Sequence, residues 1–164
     1  MPPQFTKMLA ETLNNRVETR VVEASHGMTA EGGTCYIAPG GKHMEIRVRD
    51  SDEIKIAITN GPPVTFCKPS VERLFGSAAD ALGHRILTVV LTGMGRDGAV
   101  GSAKLAKLGC PVIAQDEESS TVWGMPKAVV ESGAATDVLH LDEIGPKILK
   151  IATAGYHKKK PKRS

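Results

Sequence analysis

The pattern of apolar and polar residues in the first 60 positions predicts one helix followed by several short strands. Apolar side chains recur at helical spacing between residues 3 and 14 and form one stripe, made of Phe5, Met8, Leu9 and Leu13. Strand-like runs follow at 17–23 and 34–39. Apolar residues then alternate with polar ones at 44–48 and at 54–58, on either side of a turn at 50–53. This alternation predicts an antiparallel β-hairpin with one buried face.

The rest of the chain alternates between helix and strand patterns. A helix is predicted from 71 to 82, with Ser70 as its N-terminal cap and Gly83 near its end. The β-branched run at 86–92 is typical of a parallel strand that is covered on both faces. Further elements are a helix to about 108, a strand at 112–115, a helix at 126–133, a strand at 136–141 and a helix to about 153. The pattern predicts an α/β domain with a doubly wound, mostly parallel sheet, helices on both faces and the hairpin attached.

Composition and charge fit one globular domain with a basic tail. The chain has 164 residues, of which 41% are hydrophobic and 24% charged, so we predict a domain at 1–154 and a disordered tail at 155–164. The net charge of +3 comes from the five basic residues within 158–163, and for this tail we predict no nucleic-acid binding. No apolar run is long enough for a membrane span, and the first residues do not form a secretory signal. We therefore expect a cytoplasmic protein without membrane insertion.

The three cysteines do not indicate a disulfide framework or a metal site. Cys35, Cys67 and Cys110 are odd in number and far apart, and no C-x-x-C pair occurs. Buried free thiols are the expected state.

A glycine-rich turn after the 86–92 strand is the first candidate site. Gly93, Gly95 and Gly98 match the spacing of a dinucleotide-binding loop, and Asp116 follows at the distance of the ribose-binding acid. Asp97 opposes this interpretation, because a carboxylate in the turn would repel a pyrophosphate. Two other roles for Asp97 are open: it could orient a catalytic histidine, or it could cap the following helix.

Several motifs in order resemble the catalytic domain of the CheB family, the chemotaxis receptor protein-glutamate methylesterases. They are LTGMGRDGAVG at 91–101, VIAQDEESSTVWGMPKAVVESG at 112–133, IAPGGKHME at 37–45, GPPV at 61–64 and KPSVERLF at 68–75. The resemblance covers nearly the whole chain up to the tail.

The resemblance implies a serine-hydrolase reaction on proteins. Members hydrolyse glutamyl methyl esters on the cytoplasmic helices of chemoreceptors, releasing methanol, and some deamidate glutamine, without a metal or cofactor. Their catalytic aspartate matches Asp97, and an oxyanion-binding backbone N–H matches that of Met94. Many members also carry a receiver domain that regulates the site.

The serine and histidine of that family have no counterpart among these residues. The histidine precedes a segment that matches Met1 to Thr6, and the serine lies further upstream. We therefore expect an N-terminally truncated methylesterase that has little activity alone and exposes apolar surface. A non-catalytic adaptor that binds receptors is the alternative.

Other residues with reactive side chains have simpler interpretations. Ser119 and Ser120 lie in a shared loop without a G-x-S-x-G elbow. His43 could border the site but fits better as a hydrogen-bonded residue at the start of the hairpin. Trp123 is expected to pack, and Glu117 and Glu118 to be solvated.

Overall fold

The structure is a computed structural model that describes residues 2–48 and 53–157, the side chains of 155–157 excepted. Its helices are α1 (Pro3–Asn14), α2 (Val71–Leu82), α3 (Ala99–Lys107), α4 (Met125–Glu131) and α5 (Leu141–His157). Its strands are β1 (Arg20–Glu23), β2 (Thr34–Ile37), β3 (His43–Val48), β4 (Ile54–Thr59), β5 (Thr88–Val90), β6 (Val112–Gln115) and β7 (Asp137–Leu139). Most of the predicted hairpin turn and the basic residues after 157 lie outside the described residues.

The strands form parallel pairs and one antiparallel pair, which confirms the predicted α/β class. β1 pairs with β2 in parallel, and β5, β6 and β7 form a parallel sheet with β6 in the centre. β3 and β4 form the predicted antiparallel hairpin, in register from His43 opposite Thr59 to Val48 opposite Ile54. In the described residues the parallel strands thus belong to two separate sheets.

The core lies around the central strand β6. Val112, Ile113 and Ala114 are fully buried, because β6 has a strand on each side and contacts α3, α4 and α5. Val129 of α4 and Leu105 of α3 are also fully buried. The continuous apolar sequence of this strand therefore reflects burial on both faces.

Helix α1 buries a face other than its apolar stripe. The apolar stripe points outward, with Phe5 63% and Met8 64% exposed, while Thr6 and Ala10 are buried. The Thr6 hydroxyl donates to Glu23 Oε1 over 2.6 Å and accepts the Gly40 N–H over 2.8 Å. These bonds fix the polar Thr6 face of α1 against the β1–β2 pair, which the helical periodicity could not indicate.

Helices α2 and α3 pack closely and bring the glycine-rich turn to the N-terminus of α2. A Cβ atom at Gly98 would lie 2.7 Å from Val71, and one at Gly101 would lie 2.6 Å from Phe75. Only glycine allows this approach without a shift of the neighbouring helix. In the described part of the chain, no helix is both long and apolar enough to cross a membrane.

Candidate active site

The glycine-rich turn at 91–98 lies between the carboxyl end of β5 and the start of α3, as the sequence predicts. Backbone hydrogen bonds join it to the loop that follows β6. The Gly93 N–H donates to Val122 O over 3.0 Å, and the Met125 N–H donates to Gly93 O over 2.8 Å. A Cβ at Gly124 would lie 2.7 Å from the Gly93 carbonyl oxygen. The backbone of this turn is therefore fixed by a second loop, at the edge of the sheet where α/β proteins bind ligands.

Asp97 is buried in this turn with only 3% of its surface exposed. Its Oδ1 atom accepts the Thr65 hydroxyl at 2.9 Å, the Ser70 hydroxyl at 2.8 Å and the Glu72 N–H at 3.2 Å. Its Oδ2 atom accepts the Val71 N–H at 2.6 Å. The carboxylate thus closes the N-terminus of α2, where the partial positive charge of the helix stabilises an anion.

Ser70 occupies the predicted N-cap position of α2, but neither its side chain nor that of Asp97 caps the helix that follows it. Asp97 does not cap the helix that follows it, because the N-cap of α3 is Gly98 and makes no side-chain bond. Ser70 does not cap α2 with its own side chain, since its hydroxyl donates to Asp97 instead. An acid from a distant part of the chain satisfies the first N–H groups of α2, which local spacing could not predict.

The two oxygens of Asp97 are unequally occupied. A carboxylate offers about four lone-pair positions, and Oδ1 receives three of the four donors described above. The Cys67 thiol also lies beside this carboxylate, and burial together with the negative charge of Asp97 raises the pKa of that thiol. Of the N–H and hydroxyl donors, Oδ2 receives one and Oδ1 receives three, and the Cys67 thiol adds a further hydrogen bond to the carboxylate.

Glu72 closes the N-terminus of α3 in the same way. Its Oε1 accepts the N–H groups of Gly98 at 3.0 Å and Val100 at 2.9 Å, and its Oε2 accepts that of Gly101 at 2.5 Å. These are the N–H groups that a pyrophosphate would need. A protein carboxylate already occupies the anion position, so the dinucleotide hypothesis does not fit this loop.

The carboxylate of Asp116 is also hydrogen-bonded within the protein. Its Oδ1 accepts the Ser119 N–H at 3.0 Å and the Ser119 hydroxyl at 2.6 Å. These bonds hold the pKa of the Asp116 carboxyl below its usual value. Asp116 fixes its own loop, and the role of a ribose ligand is not supported.

Met94 lies in the 91–98 turn with 82% of its surface accessible. Its backbone N–H makes no hydrogen bond to any other residue that the structure describes. Gly95 follows with φ +93°, a backbone conformation that favours glycine. A backbone N–H that bonds to no other described residue, in a turn held by a second loop, has the property that an oxyanion-binding donor requires.

The other candidate residues have structural contacts. His43 is completely buried, with Nε2 bonded to Pro62 O at 2.9 Å and Nδ1 to Ser70 N–H at 3.2 Å, so neither nitrogen faces Asp97. Trp123 donates its indole N–H to Gln115 O. The hydroxyl of Ser120 donates to Asp116 O. These contacts support the structural interpretations of the three residues.

Sequence reasoning missed Thr65, which donates to the Asp97 carboxylate, and Glu72, which accepts the N–H groups at the N-terminus of α3. Thr65 lies 32 positions from Asp97, and Glu72 lies 26 positions from Gly98, so no short motif contains either pair. The acidic residue in the first turn of α2 is a signal for a favourable helix end, but it gives no indication of a second helix. Within 2–48 and 53–157, no three His, Cys, Asp or Glu side chains form a metal-binding group.

Fold and site together define an α/β domain in which one turn holds a buried carboxylate and a backbone N–H that bonds to no other described residue. The family model for CheB methylesterases matches residues 1–148, and the chain therefore belongs to the CheB methylesterase family. A catalytic-domain crystal structure of the Thermotoga maritima CheB methylesterase superposes with a TM-score of 0.88 at 36% identity, covering 92% of this chain and 79% of that one.

Curated relatives are named protein-glutamate methylesterase/protein-glutamine glutaminase. One from Rhodopseudomonas palustris (strain BisB5) is 48% identical over 151 residues, which are 92% of this chain and 39% of the relative. One from Caulobacter vibrioides is 49% identical over 148 residues, which are 90% of this chain and 43% of the relative. The chain thus spans about two fifths of the length of these relatives.

Proposed function

We propose that this chain forms most of the catalytic domain of a protein-glutamate methylesterase. Its substrates are glutamyl methyl esters on the cytoplasmic helices of chemoreceptors, and its products are methanol and the glutamate carboxylate. Deamidation of receptor glutamine is a second reaction of the same acyl-transfer type. The proposal rests on family membership and on one geometric observation, the buried and rigidly held carboxylate of Asp97.

In this proposal, Asp97 orients the imidazole of the catalytic base. Four N–H and hydroxyl donors hold its carboxylate in place, and Oδ2, which receives one of them, accepts the Nδ1–H of a histidine. Such a contact fixes the imidazole tautomer and stabilises the imidazolium that forms when the base takes the proton of the nucleophile.

The N–H of Met94 stabilises the oxyanion. A serine oxygen attacks the ester carbonyl, the imidazole takes its proton, and negative charge develops on the carbonyl oxygen. When the intermediate collapses, the imidazolium returns the proton to the methoxide group, and methanol leaves. Water then hydrolyses the acyl-enzyme by the same steps. One donor of this kind lowers the barrier by about 3 kcal/mol in comparable enzymes.

The nucleophilic serine and the histidine base are supplied by polypeptide outside these 164 residues. His43 accepts the N–H of Ser70, whose hydroxyl donates to Asp97, but both of its ring nitrogens are bonded to groups other than Asp97. A receiver domain in the same parent protein would be the regulator of this site.

A chimera tests this function. The stretch of the Caulobacter vibrioides relative that matches this chain, 49% identical over 148 residues, is replaced by the corresponding residues of this chain. We expect the chimera to release methanol from methylated receptor, and the 164-residue chain alone to release none above background. Asp97→Asn in the chimera should reduce kcat by about 10³- to 10⁴-fold, because the imidazole loses its orienting acceptor.

Asp116→Asn is the matched control, since it removes a carboxylate that follows the neighbouring strand β6 and bonds to Ser119. Its kcat should stay within a few fold of the parent chimera. Equal loss in both variants would show that Asp97 has no special part in the reaction. A folded but inactive chimera would contradict the proposed function itself.

A further inference from the structure

The turn formed by residues 64–67 presents a phenylalanine entirely to solvent. Val64 and Cys67 exchange backbone hydrogen bonds of 3.1 and 2.8 Å, which close the turn. Between them, Thr65 has φ +49° and Phe66 has φ +64°. The Phe66 side chain is as exposed as in an extended peptide, at 103%. The turn therefore holds a large apolar side chain outward on a short, closed loop.

This conformation is unfavourable for the folded chain alone. Left-handed φ values are rare for residues other than glycine and asparagine, and they cost free energy for a bulky side chain. An exposed phenylalanine adds no compensating burial within the protein. Strain of this kind persists where function requires the geometry, typically at binding and active sites.

The turn lies directly beside the candidate active site. The Thr65 hydroxyl donates to Asp97, the catalytic carboxylate of the proposed function. Phe66 is the next residue after Thr65 in the chain. A groove of about 350 Å³ continues from the turn along α2 and α3, lined by Val64, Thr65, Glu72, Gly76, Val100, Gly101 and Lys104. Val100, 76% exposed, extends the apolar surface on the α3 side.

Arg96 directly precedes Asp97 in the chain and carries a positive charge. Arg96 is exposed and makes no ion pair with another described residue. The acids of the region, Glu72 and Asp97, direct their carboxylates to backbone N–H groups. An apolar anchor with a neighbouring cation is complementary to a partner that carries apolar side chains next to carboxylates.

We propose that the Phe66 turn, with Val100 and Arg96, is the surface that binds the substrate polypeptide next to the reacting glutamyl group. It recognises a segment in which glutamate carboxylates flank the ester and apolar side chains lie beside them. This inference rests on the proposed function, because a methylesterase substrate is a protein whose hydrolysed sites carry glutamate. Phe66 supplies the apolar anchor, and Arg96 pairs with a carboxylate near the ester.

The test measures binding of the 164-residue chain to a labelled, soluble cytoplasmic fragment of a chemoreceptor by fluorescence anisotropy. Phe66→Ala should raise Kd by about tenfold, as expected for a central aromatic anchor. Phe5→Ala is the matched control, because it removes a phenylalanine that is 63% exposed on α1, and it should change Kd less than twofold. Arg96→Gln should raise Kd about threefold and weaken its dependence on salt.

A stability measurement separates binding from folding. Phe66→Asn keeps a residue that tolerates the left-handed conformation, so its Tm should rise by about 1–3 °C while binding weakens as in Phe66→Ala. A fall in Tm for Phe66→Asn would show that the side chain supports the fold, which would overturn the proposal.

The outcomes also separate this inference from the proposed function. If the wild-type chain binds the receptor fragment and Phe66→Ala binds equally well, the surface is wrong and the receptor remains the partner. A larger loss in Phe5→Ala would overturn the proposal in favour of α1. If the wild-type chain does not bind the fragment, both this inference and the assignment of the receptor as substrate are wrong. In that case, methanol release by the chimera from another methylated protein would still support the proposed esterase activity.

Discussion

Side-chain carboxylates accept the free N–H groups at the N-termini of both α2 and α3, but the two carboxylates lie in different surroundings. Glu72, in the first turn of α2, accepts three N–H groups of α3, and Asp97, just before α3, accepts two N–H groups of α2. Glu72 lines an open groove that water can enter. Asp97 is 3% exposed and takes two further bonds from the hydroxyls of Thr65 and Ser70.

This difference separates a helix cap from a candidate catalytic group. A cap needs only backbone donors, and Glu72 has nothing else. Asp97 has side-chain donors that fix its rotation, and it lies three residues after Met94, whose backbone N–H bonds to no other described residue. Predetermined orientation is what a carboxylate needs if it is to hold an imidazole. The following predictions test whether Asp97 differs from Glu72 and from Asp137, a third carboxylate that bonds to a lysine.

The largest expected effect is on stability. Asp97→Ala should lower the free energy of unfolding by about 3 kcal/mol, because it leaves buried N–H and hydroxyl donors without an acceptor. Glu72→Ala should lower it by only about 1–2 kcal/mol, because water in the groove can replace the carboxylate. Urea denaturation of both variants measures the difference. A larger loss for Glu72→Ala would reverse the comparison.

A double-mutant cycle tests whether Asp97 and Glu72 stabilise the fold independently. Both acids join α2 to α3, so breaking one contact should loosen the surroundings of the other. We expect the Asp97→Ala and Glu72→Ala effects to deviate from additivity by about 0.5–1 kcal/mol in the free energy of unfolding. Additive effects within experimental error would mean that the two helix ends behave independently.

Asp137 differs from both Asp97 and Glu72, because its carboxylate bonds to the ammonium group of Lys147. Its hydrogen bond with Lys147 lowers the pKa of Asp137 below the ordinary value. A carboxyl whose pKa is lowered in the folded state stabilises the fold above its unfolded pKa, and this contribution disappears as the pH falls through the folded pKa. Asp137→Asn should thus cost less than about 1 kcal/mol at pH 7 and nothing in strong acid.

Urea melts across this pH range check the prediction, with Lys147→Met as the matched variant. Added salt should weaken the Asp137 contribution more than that of Asp97, whose partners are neutral. A cost of Asp137→Asn that stays constant down to acid pH would contradict the role of charge.

The smallest expected effect is on Cys67, which reports the charge of Asp97. Burial and the neighbouring carboxylate raise the pKa of the Cys67 thiol, so at pH 8 it should react with a disulfide reagent more slowly than the exposed Cys35. Asp97→Asn removes the negative charge and should accelerate the reaction severalfold. Glu72→Gln, the control, should leave the rate unchanged. Equal acceleration in both variants would indicate loosening of the region and no effect of charge.

The sequence predicts the elements better than it predicts the faces they bury. The β-branched run of β5 and the apolar β6 indicate a parallel sheet because both faces of such strands are covered. The apolar stripe of α1 is not the face that the helix buries, because hydrogen bonds of Thr6 to Glu23 and Gly40 orient the helix. Periodicity shows that a helix is amphipathic, but a buried polar contact between distant residues can decide its rotation.

At the candidate site, too, the sequence does not predict the contacts between residues that are distant in the chain. The glycine spacing locates the turn correctly, and the pattern alone leaves dinucleotide binding open. Only the packing of α2 against α3 reveals that Glu72 already occupies the anion position. The position of Asp97 in a motif indicates its importance, whereas its cradle of Thr65, Ser70 and the α2 N–H groups depends on residues 25 to 32 positions away.

The most direct test of the account is the contact between Asp97 and the imidazole of the base. In the active chimera, proton NMR should show a low-field resonance from the histidine Nδ1–H that is bonded to the carboxylate. We predict that this resonance is lost in Asp97→Asn and retained in Glu72→Gln. A resonance that persists unchanged in a folded Asp97→Asn chimera would contradict the assignment of Asp97 as the group that holds the imidazole.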